Sequence, residues 1–304
     1  LACLLALPFI TSCTVITEGV DATGSSIIRF FGGEPEGTVV LSDNGLGESI
    51  AHANLEEEYY LGRAVAATIL SRYQEFSDAE LDSYLNQLGL SLALRSDLPQ
   101  TFAGYRFVVL RSSELNAFAA PGGFVFITTG LLRILPDEEA LAAIIAHEIT
   151  HVARAHGILA LARKETQGKF QKALSALAVS ASSIQCPDVL SQAEAVFAIA
   201  VSELVDVLLV SGYSKEQEFE ADAGAIRLLQ ARGYNVKGLH ESLQALAKRE
   251  KSAHGGWFAT HPSPAERIEQ LLNSQHAESS SSLSVHAYAK RKRRFLRMIK
   301  RVPA

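Results

Sequence analysis

The sequence predicts an α+β fold that is mainly helical, with a small antiparallel sheet beside one central helix. Three observations lead there. From Leu55 onward, apolar residues recur at helical spacing through most of the chain. Residues 105–129 are instead rich in β-formers and are broken by Pro121-Gly122-Gly123, a hairpin signal. One helical stretch, ALAAIIAHEITHVARAH, is apolar almost all round and therefore belongs inside the fold.

Size and charge bound the reading. The chain has 304 residues, 48% of them hydrophobic, enough for one large domain or two small ones. Its net charge of −5 gives no reason to expect nucleic acid as a partner. Residues 1–12, LACLLALPFITS, are an apolar run too short to span a bilayer and read as a signal peptide. The only methionine is Met298, so the signal reads as incomplete at its N-terminus. Cys13 follows in Ile10-Thr11-Ser12-Cys13, which resembles a bacterial lipobox, so residues 13–54 are expected to be a lipidated N-terminus and a Gly/Ser-rich tether. That leaves Cys186, read as a lone loop residue, and stability must come from the core rather than from disulfides.

The elements follow in order. A helix opens near Leu55, and a second starts at Ser77, whose spacing to Glu80 suggests a capping box; its residues Leu81, Leu85, Leu88 and Leu92 share one face. Strands are expected at Tyr105–Leu110, Asn116–Ala120 and Phe124–Thr129. Asp137 caps the central helix, which runs to about Gly157, with Glu138 and Glu139 placed favourably for its dipole. In Ala195–Val210, Glu203 and Asp206 interrupt the apolar run before it reaches the roughly 20 residues of a membrane span, so buried helices are expected. Helices at Ser214–Arg232, Lys237–Glu250 and Pro264–Asn273 close a domain set at 55–275. The serine run Ser279–Ser282 marks its end, and 276–304 is a Ser-rich, then basic tail. Lys290 to Arg294, with Phe295, Leu296, Met298 and Ile299 beside them, offer either a solvated helix or a contact for anionic lipid.

The chemistry concentrates in His147-Glu148-Ile149-Thr150-His151. Histidines four apart on a helix share a face and can reach one zinc ion, while Glu148 stands beside it as a general base for water. A third ligand must come from elsewhere. His156 is a poor choice, because Arg154 stands where a chain-turning glycine would be needed and His156 then stays on the same rigid helix. In YSKEQEFEADAGA, Glu218 and Asp222 lie four apart: Glu218 suits the metal, and Asp222 suits the free N–H of a ligand histidine. Glu216 and Glu220 fall on other faces, either solvated or paired with Lys215 and Arg227.

Four segments carry a resemblance: NAFAAPGGFVFITTGLL, EEALAAIIAHEITHVARAH, YSKEQEFEADAGA and THPSPAERI. Their order and spacing resemble the HtpX and CAAX-prenyl-protease family of zinc metallopeptidases, most closely its periplasmic lipoprotein branch. The resemblance implies a zincin-like domain, one zinc per chain held by His147, His151 and Glu218, Glu148 as base, and peptide-bond hydrolysis. It places Asn116, Ala117, Phe118 and Ala119 at the edge strand along which substrate backbone lies. It also brings His261 into view, as a fourth ligand that keeps the enzyme latent or as an oxyanion donor, a role for which Arg267 is the other candidate. The expected substrates are unfolded or misfolded proteins of the bacterial cell envelope, met at the periplasmic face of the outer membrane through the lipid anchor. A rival is a latent zinc-binding chaperone or outer-membrane assembly factor with minor proteolytic activity. The chain departs from membrane-embedded relatives in lacking their spans, and it carries an insertion around 180–192 placed to line or cover the cleft.

Overall fold

The computed structural model describes residues 55–161, 186–249, 256–273 and 285–303. The signal, Cys13, the tether, the first part of the 180–192 insertion and the serine run lie outside the described residues.

Two helices open the described chain, α1 (Leu55–Arg72) and α2 (Ala79–Ala93). The cap of α2 is Asp78 rather than Ser77: Asp78 Oδ1 accepts from Glu80 N at 3.1 Å and Leu81 N at 3.0 Å, while the Ser77 hydroxyl is drawn back to Glu75. The expected apolar face holds, with Leu81, Leu85, Leu88 and Leu92 buried.

Strands β1 (Arg106–Leu110), β2 (Ala117–Ala120) and β3 (Phe124–Thr128) form one sheet in the order β1-β3-β2. The sheet is mixed, not antiparallel. The turn at Pro121–Gly123 makes β2 and β3 antiparallel neighbours, and β1 then joins the other side of β3 in the parallel sense. Gly122 sits at φ 73°, and a Cβ there would meet Tyr59 Cα at 2.7 Å, so the turn needs a residue without a side chain. Side chains alternate between two cores. Phe107, Val109, Ala117, Ala119, Val125 and Ile127 face one cluster, and Leu110, Phe118, Ala120 and Phe126 face the other. Both sheet faces are thus covered, which explains why β2 reads as four consecutive buried residues.

After the short α3 (Thr129–Ile134) comes α4 (Glu138–Ala153), capped by Asp137, whose side chain accepts from Ala140 N. Every residue of α4 is buried. It ends earlier than expected: Ala155 adopts φ 50°, a left-handed break, and His156 begins a new short helix, α5 (His156–Leu161). Helix α6 (Cys186–Asp206) runs into a π turn at Val207–Ser211; Cys186 therefore starts a helix rather than sitting in a loop. Among the described residues no single helix is long and apolar enough to cross a membrane. Then follow α7 (Lys215–Ala231), α8 (Lys237–Ala247), the single turn α9 (Trp257–Thr260), α10 (Pro264–Asn273) and α11 (Val285–Ile299). A capping box between Ser214 and Gln217 opens α7.

The compact fold does not stop before the serine run. Helix α11 packs on α4 and α2, and its Phe295 and Met298 are buried in the same core as α4. The reason is electrostatic as well as apolar. Glu138 is fully buried and accepts from Tyr84 and Tyr234 hydroxyls, each at 3.0 Å, and from Arg294 Nε at 2.7 Å. Arg291 bonds Glu139 at 3.1 Å, and the Tyr288 hydroxyl bonds Asp137 at 2.8 Å. The acidic first turn of the central helix is thus answered by the basic segment, which sequence alone left as a tail.

Candidate metal centre

Helix α4 runs through the core and α7 packs along it. The approach is close because Gly224 lies over Thr150, where a Cβ would come within 2.3 Å of Thr150 Cγ2. This contact brings the acidic face of α7 against the two histidines of α4. The turn Trp257–Thr260 and His261 close the site from a third direction, with Trp257 N bonded to Leu115 O at 2.8 Å.

His147, His151, Glu218 and His261 offer one donor atom each within 4.8 Å of one another. His147 Nε2 and His151 Nε2 stand 3.0 Å apart. Glu218 reaches them at 3.4 and 3.5 Å, and His261 Nδ1 lies 2.7 Å from Glu218 Oε2. His147, His151 and Glu218 are essentially without solvent exposure. Glu148, the next residue on α4, is equally buried, and its Oε1 has no hydrogen-bond partner.

Asp222 lies one turn beyond Glu218, as expected, with Oδ1 3.0 Å from His147 Nδ1. The hydrogen-bond network assigns the ring N–H to this side, which turns the lone pair of Nε2 toward His151 and Glu218. Asp222 is itself gripped by Arg267, whose Nε and Nη2 bond Oδ2 at 2.9 Å and Oδ1 at 2.5 Å. The Arg267 guanidinium is fully buried and lies over the Trp257 ring, and its remaining nitrogen, Nη1, has no hydrogen-bond partner and stands 3.8 Å from Glu218 Oε2. His156, expected not to ligate, lies outside the four-donor cluster. Its Nδ1 meets His151 Nδ1 at 2.8 Å, and its other nitrogen faces Glu220 at 3.4 Å. Glu220 also pairs with Arg154, and Lys215 pairs with Glu266 on α10 rather than with its own helix.

The electrostatics suit a cation. Burial and the Arg267 charge oppose an imidazolium at His147, but Asp222 and Glu218 prevail and raise it to about 9. Burial alone would push the Glu218 carboxyl up, yet His261 and His147 hold it well below the ordinary carboxylate range. Glu218 Oε1 is buried without a hydrogen-bond donor. Three imidazoles and a carboxylate converging in a dry site fit a divalent ion of the N/O-preferring kind. Glu148 behaves differently: burial raises its carboxyl to about 7, with His147 opposing.

Two aromatic residues that sequence reasoning did not single out complete the site. The Tyr213 ring stacks on His151 at 4.3 Å, and Trp257 stacks on His261 at 3.9 Å. Tyr213 directly precedes the cap of α7, and Trp257 is the only tryptophan; position relative to the acidic helix and the His-Pro step was the available signal. A small recess of about 10 Å³, room for roughly one water, lies between Ala119, Ala120, Pro121, His151, Val152 and Tyr213. Strand β2 is at the sheet edge, as expected for Ala117, Phe118 and Ala119, with Asn116 just before it. All four are buried, and the Tyr213 hydroxyl approaches Ala119 O at 3.5 Å, so that edge is covered in this conformation.

A family model described as peptidase family M48 matches residues 79–275. The chain belongs to that family. Metalloprotease LoiP of Escherichia coli (strain K12) is 30% identical to this M48 chain over 175 residues, 57% of this chain and 63% of its own. The beta-barrel assembly-enhancing protease of the same organism is 28% identical over 208 residues, 65% of this chain and 39% of its own. A protease HtpX homolog of Bacillus pumilus (strain SAFR-032) is 32% identical over 186 residues, 54% and 61% of the two chains. The M48 chain therefore spans less than two thirds of the length of each of these relatives.

Proposed function

We propose that this M48 chain is a zinc-dependent metalloendopeptidase whose substrates are misfolded or stalled proteins of the bacterial cell envelope. The observation that carries the reading is the buried cluster of four donors with an unpartnered carboxylate, Glu148, on the next residue of the same helix. His147, His151 and Glu218 would hold the ion, with His261 as a fourth donor in the closed state. A zinc ion there supplies Lewis acidity toward a peptide carbonyl and toward water. Glu148, poised near neutrality by burial, takes the proton from the attacking water and delivers it to the leaving amine. Asp222 and Arg267 keep the His147 ring in one orientation throughout. Substrate backbone adds along β2 at Ala117, Phe118 and Ala119 once Tyr213 withdraws from that edge.

The envelope setting rests on the names of relatives, among them beta-barrel assembly-enhancing proteases, and on the lipobox reading of Cys13, which would anchor the chain to the outer membrane facing the periplasm. Those names also support the second reading, an assembly factor at the outer membrane in which proteolysis is minor. One experiment addresses both. Purified protein should carry one zinc, lost on chelation or in His147→Ala. Glu148→Gln should keep the zinc and lose cleavage of an unfolded protein. A Glu148→Gln protein that still complements a deletion strain would favour the assembly role, and one that still cleaves would remove Glu148 as the base.

A further inference from the structure

Helix α11 and the three residues after it contain no acidic residue, in a chain that has 33. The fold sorts their cations into two sets. Arg291 and Arg294 turn inward to Glu139 and Glu138, and Arg301 pairs with Asp78 and Glu80. Lys292 folds against the Tyr288 ring. Lys290, Arg293, Arg297 and Lys300 are exposed, and no ion pair holds them among the described residues. Their spacing is three, four and three: Lys290, Arg293 and Arg297 line one face of the helix, and Lys300 follows directly past its end, a stripe of about 15 Å. Stability does not explain them, because the inward set already satisfies the acids of α4 and α2. Four like charges in a row repel one another, and the helix supplies none of the glutamates at i±4 that would relieve it.

We propose that this outer face is a docking surface for an anionic phospholipid membrane. A straight, convex line of cations matches a planar array of headgroup phosphates. The same face suits single-stranded nucleic acid poorly, because Phe295 is buried and Tyr288 is bonded to Asp137, which leaves His286 as the one exposed ring of the helix. Leu296 is 46% exposed within the stripe and adds a shallow apolar contact. Phe295 and Met298, the apolar residues that would anchor an inserted helix, are committed to the core, so contact stays at headgroup depth and depends on salt. The stripe lies beside the first turn of α4, and His147 is nine residues further along that helix, about 13 Å. Docking by α11 would fix the height and tilt of the metal centre above the lipid, which a single acyl attachment at Cys13 would not.

The test is cosedimentation of the full chain with vesicles of equal parts phosphatidylcholine and phosphatidylglycerol, and with phosphatidylcholine alone. Both proteins compared carry Cys13→Ser, so that no acyl chain contributes. The chain with its stripe intact should bind the anionic vesicles only and should come off at about 1 M salt, where the screening length falls to about 3 Å. Replacing Lys290, Arg293, Arg297 and Lys300 with Gln should leave the melting temperature unchanged and weaken binding by roughly 600-fold, taking each cation as about fivefold. The proposal is overturned by equal binding of the two proteins, by binding to neutral vesicles, or by a short single-stranded RNA that outcompetes the anionic vesicles. None of these outcomes bears on whether the metal centre cleaves peptides.

Discussion

His261 is the residue at which the closed state and the chemistry compete. Its ring is stacked on Trp257, and its Nδ1 sits 2.7 Å from Glu218, inside the donor cluster. A fourth protein donor occupies the position that a hydrolytic site keeps for water. The turn carrying His261 is held by Trp257 N on Leu115 O, by Ala259 N and His261 N bonded within the turn, and by the buried Trp257 ring. His261→Ala is therefore expected to raise cleavage of an unfolded test protein and to leave zinc content near one per chain, since His147, His151 and Glu218 remain. A fall in turnover of about 100-fold would instead assign the ring to the oxyanion. Asp222 and Arg267 act on the other side of the site. They face each other in a fully buried pair, where burial alone would disfavour the carboxylate, yet Arg267 and His147 hold it below its usual range. Here sequence spacing was informative for Asp222, four residues from Glu218, and silent for Arg267, which reaches the pair from α10, 45 residues on.

At the scale of elements, the metal centre is a contact between two helices. The histidine spacing of α4 and the carboxylate spacing of α7 were both legible, because each is a property of a single helix. What brings them together was not legible: it is the absence of a side chain at Gly224. An alanine there would overlap Thr150 Cγ2 at 2.3 Å and Oγ1 at 2.5 Å, and α7 would have to move away from α4. The shift acts directly on Glu218, one and a half turns earlier on α7. Gly224→Ala should weaken zinc binding at least tenfold and lower the melting temperature. Thr150→Ala in the same chain removes both of the overlapping atoms, and it should recover most of the affinity. Failure of the double variant to recover would show that the approach of the helices is set elsewhere. The sheet makes the same point about pairing. Its three strands and its turn were readable from composition, but their order depends on which edge β1 joins, and no local signal encodes that. Short strands buried on both faces also hide the alternation that sequence patterns rely on.

Across the whole molecule, α2 and α11, far apart in sequence, converge on the start of α4. The sequence presents Lys290 to Arg294 as a charge run, and a charge run reads as a surface feature because its partners are distant in sequence. Those partners are Glu138 and Glu139, more than 150 residues earlier and themselves read as helix-dipole residues. Arg294 is the test of this arrangement. Its guanidinium lies over the Tyr84 ring and pairs with a carboxylate that has no solvent exposure. Losing the arginine leaves Glu138 with two tyrosine hydroxyls and no counter-charge. Breaking a buried pair in this way costs about 3 to 5 kcal/mol, and the partly exposed side chain of Arg294, 44% accessible, reduces that to about 2 kcal/mol. Arg294→Ala should thus lower the urea midpoint, with the loss concentrated in the charge rather than in packing. The discriminating measurement is the same substitution in a Glu138→Gln background, where no buried charge remains to be compensated. There Arg294→Ala should cost less than half as much. If the two backgrounds lose equal stability, α11 is held to the core by Phe295 and Met298 alone, and the acids of α4 do not depend on it.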